Sequence, residues 1–183
     1  MINEDILRSC KSGDREAFRH LVESYSGYAF TMAFRMVSDE EEARDIVQES
    51  FITVWKKMPG FNEKLNFSNW FYRILVNKCY DSLRRKKRNS RIINHEKLLD
   101  SVLILSESEP DKELENREIA EIIRGLSHHL STKQKIVFVL SELEEFSPDE
   151  IFEMTGMSKS SIKSNLNHAR RKIAGIIEKN QLK

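Results

Sequence analysis

The sequence predicts an all-α fold: two small helical domains joined by a flexible acidic linker, the C-terminal one a helix-turn-helix. Three observations carry this. Only 6 Gly and 3 Pro punctuate 183 residues while 32% of the chain is charged, a composition of long amphipathic helices rather than turn-rich sheets. Apolar residues recur at spacings of three and four, and strand-like alternation is nearly absent. Ser followed three residues later by Glu or Gln recurs at the starts of apolar-periodic segments, the mark of a capping box. A chain of this length suits one large domain or two small ones with shallow cores.

The elements follow in order. From about residue 14, Ala17, Phe18, Leu21, Val22 and Tyr25 share one face, and the pattern resumes after Gly27 with Ala29, Met32, Ala33 and Met36. This reads as a helical hairpin or a kinked helix. Ser38 with Glu41 forms a capping box that opens a helix burying Ala43, Ile46, Val47, Ser50, Phe51 and Val54, and Pro59-Gly60 stops it. After a loop rich in Asn and Phe, residues 69–88 form a helix that buries Trp70, Phe71, Ile74, Leu75, Cys79 and Leu83 and turns Arg73, Asn77, Asp81 and Arg84 outward. The first domain thus spans residues 1–88. Across 89–111 the periodicity weakens, Ser and acids accumulate and Pro110 interrupts, so this is the linker, with at most a transient helix around residues 98–105. The second domain, 112–183, begins with a helix carrying Leu114, Ile119, Ile122, Ile123 and Leu126. A capping box, Ser131 with Gln134, then starts a helix bearing Ile136, Val137, Leu140 and Leu143.

Residues 147–177, SPDEIFEMTGMSKSSIKSNLNHARRKIAGII, hold the local signals of a helix-turn-helix in the right order. Ser147 caps, Pro148 takes the first helical position where its missing N–H costs nothing, and Glu150 completes a box. Gly156 supplies positive φ for the turn, Met157 packs beneath it, and Ser158 caps the second helix. In that helix Ile162, Leu166, Ala169, Ile173 and Ile176 face the core, leaving Lys159, Ser160, Lys163, Ser164, Asn167, Arg170 and Arg171 outward. Lys and Arg bond phosphates or guanine edges, Asn suits adenine and Ser serves either, so this face has the composition of a major-groove reader. A solvated basic face on a packing helix is the plainer alternative.

Thirty Lys plus Arg against 29 Asp plus Glu leave a net charge of +1, but the distribution is uneven. Residues 84–91 read RRKKRNSR and residues 159–172 hold five cations and no acid, whereas 39–49 and 96–121 are strongly acidic. More than one kind of partner is implied. Cys10 and Cys79 fall in no metal-ligand spacing and read as free thiols in a reducing cytoplasm. The adjacent His128 and His129 cannot face one metal from one helix. No cofactor, metal or catalytic cluster is implied. The apolar run Ile136 to Leu140 is far too short for a membrane span, and the N-terminus, with Glu4 and Asp5, does not resemble an export signal.

Three segments, DEEEARDIVQESFITVWKK, NWFYRILVNKCYDSLRRKKR and LSTKQKIVFVLSELEEFSPDEIFEMTG, together resemble the extracytoplasmic-function group of bacterial RNA polymerase sigma factors, the likeness running from about residue 14 to 177. The resemblance implies that residues 1–88 are a region 2-like domain and 112–183 a region 4-like domain. It further implies a subunit without catalytic residues that binds core polymerase and directs it to promoters. By the same resemblance Asp45, Gln48, Glu49 and Trp55, beside Phe51, meet the clamp helices of the largest polymerase subunit. The loop 61–69 and the helix behind it would open the minus-ten region and hold the non-template strand, through Asn66, Asn69, Arg73 and Asn77 with Arg84, Arg85 and Lys86. On the residues alone, Trp70 and Phe71 belong to the core, and stacking plus edge hydrogen bonds at such a site offset the cost of unstacking a base. The helix-turn-helix would read the minus-thirty-five element as duplex. The resemblance also implies an anti-sigma partner and a linker threading toward the polymerase cleft. One departure stands out: Phe152, where relatives usually place Ala, must widen the helix crossing or tilt away, and Thr155 makes the room. A free-standing helix-turn-helix repressor or activator would show the same C-terminal motif.

Overall fold

The computed structural model describes residues 4–93 and 129–181, with side chains at 4–88 and 129–176. The expected linker beyond residue 93 and the helix carrying Leu114 to Leu126 lie outside the described residues. The helices are α1 (Glu4–Lys11), α2 (Arg15–Val37), α3 (Glu40–Lys57), α4 (Phe67–Ile93), α5 (Thr132–Phe138), α6 (Pro148–Thr155) and α7 (Lys159–Gln181). A 3₁₀ turn, Met58–Gly60, follows α3, and a π-helical turn, Val139–Leu143, continues α5. The described residues contain no strand.

Three sequence expectations change. Of the two readings at Gly27 the hairpin is excluded: α2 runs through it as one helix, because buried Leu21 and Ala29, Met32 and Ala33 on either side outweigh the roughly 1 kcal/mol that a helical glycine costs relative to alanine. Ser38 is not the cap of α3. It ends α2 in the left-handed region at φ 56°, donating its N–H to Phe34, while Asp39 caps α3 by accepting the Glu42 N–H at 3.0 Å. Third, α4 starts at Phe67 and runs to Ile93, two residues earlier and five later than the expected 69–88. Asn66 provides the earlier start: its Oδ1 accepts the Asn69 N–H at 3.1 Å.

The N-terminal helices close on an aromatic core. Phe71 is fully buried and lies 4.9 Å from Phe51 and 5.5 Å from Tyr25, centroid to centroid, while Leu21, Met32, Met36, Val54 and Met58 fill the remainder. Phe71 is therefore core, as expected, and half-buried Trp70 packs on Phe61 at 4.8 Å. Burial of a large side chain of this kind stabilises by roughly 1.5–3 kcal/mol. The C-terminal helices pack around Ile136, Leu140, Ile151, Met154 and Ile162, and this apolar cluster is continuous with the first. Helix α4 lies against α6 and α5, so the two helical units touch.

Candidate nucleic-acid and polymerase interfaces

The helix-turn-helix is assembled from its caps. Ser147 accepts the Glu150 N–H at 3.3 Å and Glu150 returns a carboxylate to the Ser147 N–H at 2.9 Å. This pairing lowers the Glu150 pKa, through the Ser147 hydroxyl first and its N–H second. Gly156 closes α6 at φ 69°. Thr155 does more than make room: its hydroxyl donates to the Ile151 carbonyl at 2.6 Å and accepts the Met157 N–H at 3.2 Å, locking the turn. Ser158 accepts the Ser161 N–H at 3.3 Å to start α7. Phe152 is 47% exposed, so its ring tilts out of the α6–α7 crossing instead of widening it.

Along α7, Ile162 and Ala169 are buried and Leu166, Ile173 and Ile176 half-buried, while Lys159, Ser160, Lys163, Ser164, Asn167, Arg170 and Arg171 are all exposed. They are not equivalent. Lys159 pairs with Asp149 on α6, Arg170 donates to Glu142 at 2.7 Å, and Lys172 donates to the His129 carbonyl at 2.8 Å and to Gln134 at 3.1 Å. Lys163 and Arg171, with Ser164 and Asn167 between them and Ser160 one turn before, make the central outward stripe.

On the first unit, α3 exposes Asp45, Gln48 and Glu49, and Glu49 accepts from Lys78 of α4 at 3.0 Å. Trp55 is half-buried against Phe18, with ring centroids 4.8 Å apart. Between α2 and α3 lies an apolar groove of about 710 Å³, lined by Phe18, Val22, Phe30, Ile52 and Trp55 and rimmed by Arg15, Arg44 and Gln48.

The residues expected at the minus-ten strand are scattered in role. Asn66 is spent partly on capping α4. Asn69 donates to Glu153 of α6 at 3.3 Å, and Asn77 lines a cleft of about 420 Å³ with Thr155, Gly156, Met157 and Ser158. Arg73, Arg84 and Arg85 are exposed, but Lys86 pairs with Asp39 at 3.4 Å and with Glu42, so the acidic first turn of α3 partly neutralises the basic run. Sequence reasoning missed one cluster altogether: Tyr28 and Arg35 of α2 converge on Glu144, with Arg35 Nη1 3.0 Å from its carboxylate. No local pattern could have indicated a pairing between residues 109 positions apart.

Both free cysteines are buried, and burial pushes the Cys79 thiol up to about 12, with nearby Glu42 adding to the shift. Among the described residues no group of three His, Cys, Asp or Glu side chains is gathered to hold a metal, and no helix is long and apolar enough to cross a membrane.

A helical unit with an aromatic core and an acidic helix face, followed by a helix-turn-helix with a cationic stripe, has the architecture of a DNA-binding protein. Family comparison agrees. Residues 21–89 match Sigma-70 region 2 and residues 120–173 match Sigma-70, region 4, together more than half of the chain. The chain is 28% identical over 169 residues to the ECF RNA polymerase sigma factor SigW of Bacillus subtilis (strain 168), covering 90% of each. It is 27% identical over 183 residues to the RNA polymerase sigma factor NccH of Alcaligenes xylosoxydans xylosoxydans, covering 99% of this chain and 97% of the relative. In fold it is similar to CnrH, solved in complex with the cytosolic domain of CnrY, with a TM-score of 0.67 at 24% identity over 97% of this chain and 98% of that one. The sigma factor RpoE of Bartonella quintana, solved with the anti-sigma factor NepR, gives 0.65 at 21% over 88% and 96%. The chain belongs to the extracytoplasmic-function group of the sigma-70 family. It acts in promoter-specific transcription initiation with RNA polymerase.

Proposed function

We propose that the two units divide promoter recognition between them within the boundaries 1–88 and 112–183, and that the chain acts as a cytoplasmic initiation factor without catalysis of its own. Residues Lys159, Ser160, Lys163, Ser164, Asn167, Arg170 and Arg171 serve the minus-thirty-five duplex. Within that set Lys163, Asn167 and Arg171 read, and Lys159 and Arg170 chiefly brace α7. The observation that carries this reading is the solvent-facing stripe of α7, whose opposite face is held in the core by Ile162 and Ala169.

Asn69, Arg73 and Asn77, with Arg84 and Arg85, serve the minus-ten non-template strand, and Asn66 acts more through its cap than through bases. Asp45, Gln48 and Glu49 form a polar rim to the clamp-helix contact, and the apolar groove beside Trp55 supplies its aromatic anchor. An anti-sigma protein would compete for these surfaces, in keeping with the partners named for the CnrH and RpoE structures.

The test is co-elution of the purified chain with core polymerase, followed by transcription from a promoter recovered by sequencing polymerase-bound DNA. Asp45→Lys and Glu49→Lys together should abolish co-elution while leaving the helical circular dichroism spectrum intact. A chain that instead bound a palindromic duplex as a dimer, and ignored core polymerase, would be a free-standing repressor or activator.

A further inference from the structure

We propose that the apolar groove between α2 and α3 binds a free long-chain fatty acid anion, with Arg15 holding the carboxylate and the acyl chain lying along the groove toward Phe30. The site stands on the groove itself, and only its effect on transcription rests on the assignment of this surface to the polymerase contact.

The groove arises from the way α2 is patterned. Its Leu21, Ala29, Met32 and Ala33 are buried in the core, where they meet Val54 of α3. A second apolar row on α2, Phe18, Val22 and Phe30, is only half-buried and faces the seam with α3. Helical steps of three and four residues set this row in line with Arg15 and Ser26. Opposite it, α3 contributes Arg44, Gln48, Ile52 and Trp55 at the same spacing, and every residue that lines the groove belongs to one of these two helices. Ile52 is 47% exposed on the wall. An apolar space of about 710 Å³ lies in the range, roughly 300–1,000 Å³, that holds a small organic ligand.

Shape and charge specify the occupant. From Arg15 to Phe30 α2 advances roughly 22 Å at 1.5 Å per residue. An acyl chain of membrane-lipid length spans about 15 Å, half of a bilayer core, so the line holds one such chain with its head group. The lining carries two cations and no acid. Arg44 is already engaged: it pairs with Glu40, and its guanidinium lies 5.9 Å from the Phe30 ring centroid. Arg15 has no partner among the described residues, and the adjacent acid, Asp14, is turned onto the N–H groups of Glu16 and Ala17 at 2.8 and 3.2 Å. A guanidinium at the end of an apolar trough presents two parallel N–H donors to a carboxylate. Exposed Asp45 and Glu49 on α3 repel an anionic bilayer, whereas a single soluble chain meets only the lining.

An acyl chain in the groove covers Trp55 and Ile52 beside Gln48. The ligand and core polymerase therefore exclude one another, and the supply of free fatty acid sets how much of the factor polymerase can take up.

Equilibrium dialysis of the full-length chain against radiolabelled tetradecanoate, below its micelle concentration, tests the site. One anion per chain is expected, and each methylene added from decanoate to tetradecanoate should tighten binding roughly two- to fourfold, as partly to fully buried methylenes do. Arg15→Glu should weaken tetradecanoate binding at least about tenfold, Arg15→Lys much less, and tetradecyltrimethylammonium should bind the wild type at least about tenfold more weakly than the anion. Ile52→Asp, at an exposed position, should also weaken binding and leave the helical circular dichroism spectrum unchanged. Equal affinity for the anionic and cationic amphiphiles overturns the site, as does unchanged affinity in both Arg15→Glu and Ile52→Asp. Binding to phosphatidylglycerol vesicles without uptake of soluble tetradecanoate overturns it too, and would make this face a membrane contact. In a second arm, tetradecanoate should reduce co-elution of the wild type with core polymerase, and decanoate should do so less. Unchanged co-elution at saturating tetradecanoate overturns the exclusion of polymerase and leaves the ligand site standing. If the chain never co-elutes with core polymerase, the assignment of this surface fails, and the dialysis still decides the site.

Discussion

Arg170 of α7 donates through Nη2 to Glu142 Oε1 at 2.7 Å, tying α7 to the π-helical turn after α5. With Lys159 on Asp149 and Lys172 on the cap of α5, three cations of the basic segment bind their own domain. Such exposed pairs contribute at most about 1 kcal/mol each, but together they fix the orientation of α7 and of the central stripe it carries.

Lys163→Ala and Arg170→Ala should therefore differ. The Lys163 change should weaken minus-thirty-five binding across a range of sequences and reduce the slope of log affinity against log salt by about one, leaving co-elution with core polymerase intact. Arg170→Ala should resemble Glu142→Ala and change the slope less. Salt titrations of duplex binding measure both, and equal slopes for the two variants would show Arg170 to be an ordinary phosphate contact. With about six phosphate contacts in all, affinity should fall roughly a thousandfold between 50 and 200 mM salt.

Asn77→Ala should impair promoter opening more than docking, because the side chain is exposed on α4 without a share in the core. Loss of one base contact corresponds to about 1–3 kcal/mol, or roughly five- to 150-fold in open complex. Permanganate footprinting at a matched promoter reads this directly. Normal thymine reactivity in the variant would remove Asn77 from the strand-holding set.

Gly156→Ala probes the turn. A Cβ at Gly156 meets nothing within 4 Å, so space is available and the cost is backbone alone, with alanine forced to φ 69°. That amounts to about 1–2 kcal/mol, a drop of roughly 2–8 °C in Tm for a chain of this size. A thermal melt unchanged by the substitution would mean that the turn relaxes to accept alanine.

Glu150 contributes a pH dependence of known sign. Its pKa is lowered in the folded chain by the Ser147 hydroxyl and N–H, so the stabilisation is fully present above the ordinary value of 4.5 and is lost as pH falls through the folded value. The stability difference between wild type and Glu150→Gln should be constant near neutral pH and shrink once the pH drops below about 4.5. Urea denaturation at a series of pH values would reveal it. A difference that grew on acidification would mean that Glu150 acts through some other contact than the capping box.

What the sequence determined by itself is everything that depends on neighbours a few residues apart. The all-α class, the cap at Ser147 with Pro148 and Glu150, the glycine turn at 156 and the outward set on α7 all follow from helical periodicity and local hydrogen bonding. These interactions span three or four residues, so their signals sit side by side in the chain. Close alternatives for the same role were harder to separate: Ser38 and Asp39 both suit a cap, and only the left-handed end of α2 assigns the task to Asp39. The tertiary structure alone decided which charges face solvent and which face each other. Lys86 on Asp39, Arg170 on Glu142 and Glu144 on Arg35 join residues 47, 28 and 109 positions apart. Pairing over such separations is set by how helices pack, because a charge in sequence carries a sign but no direction.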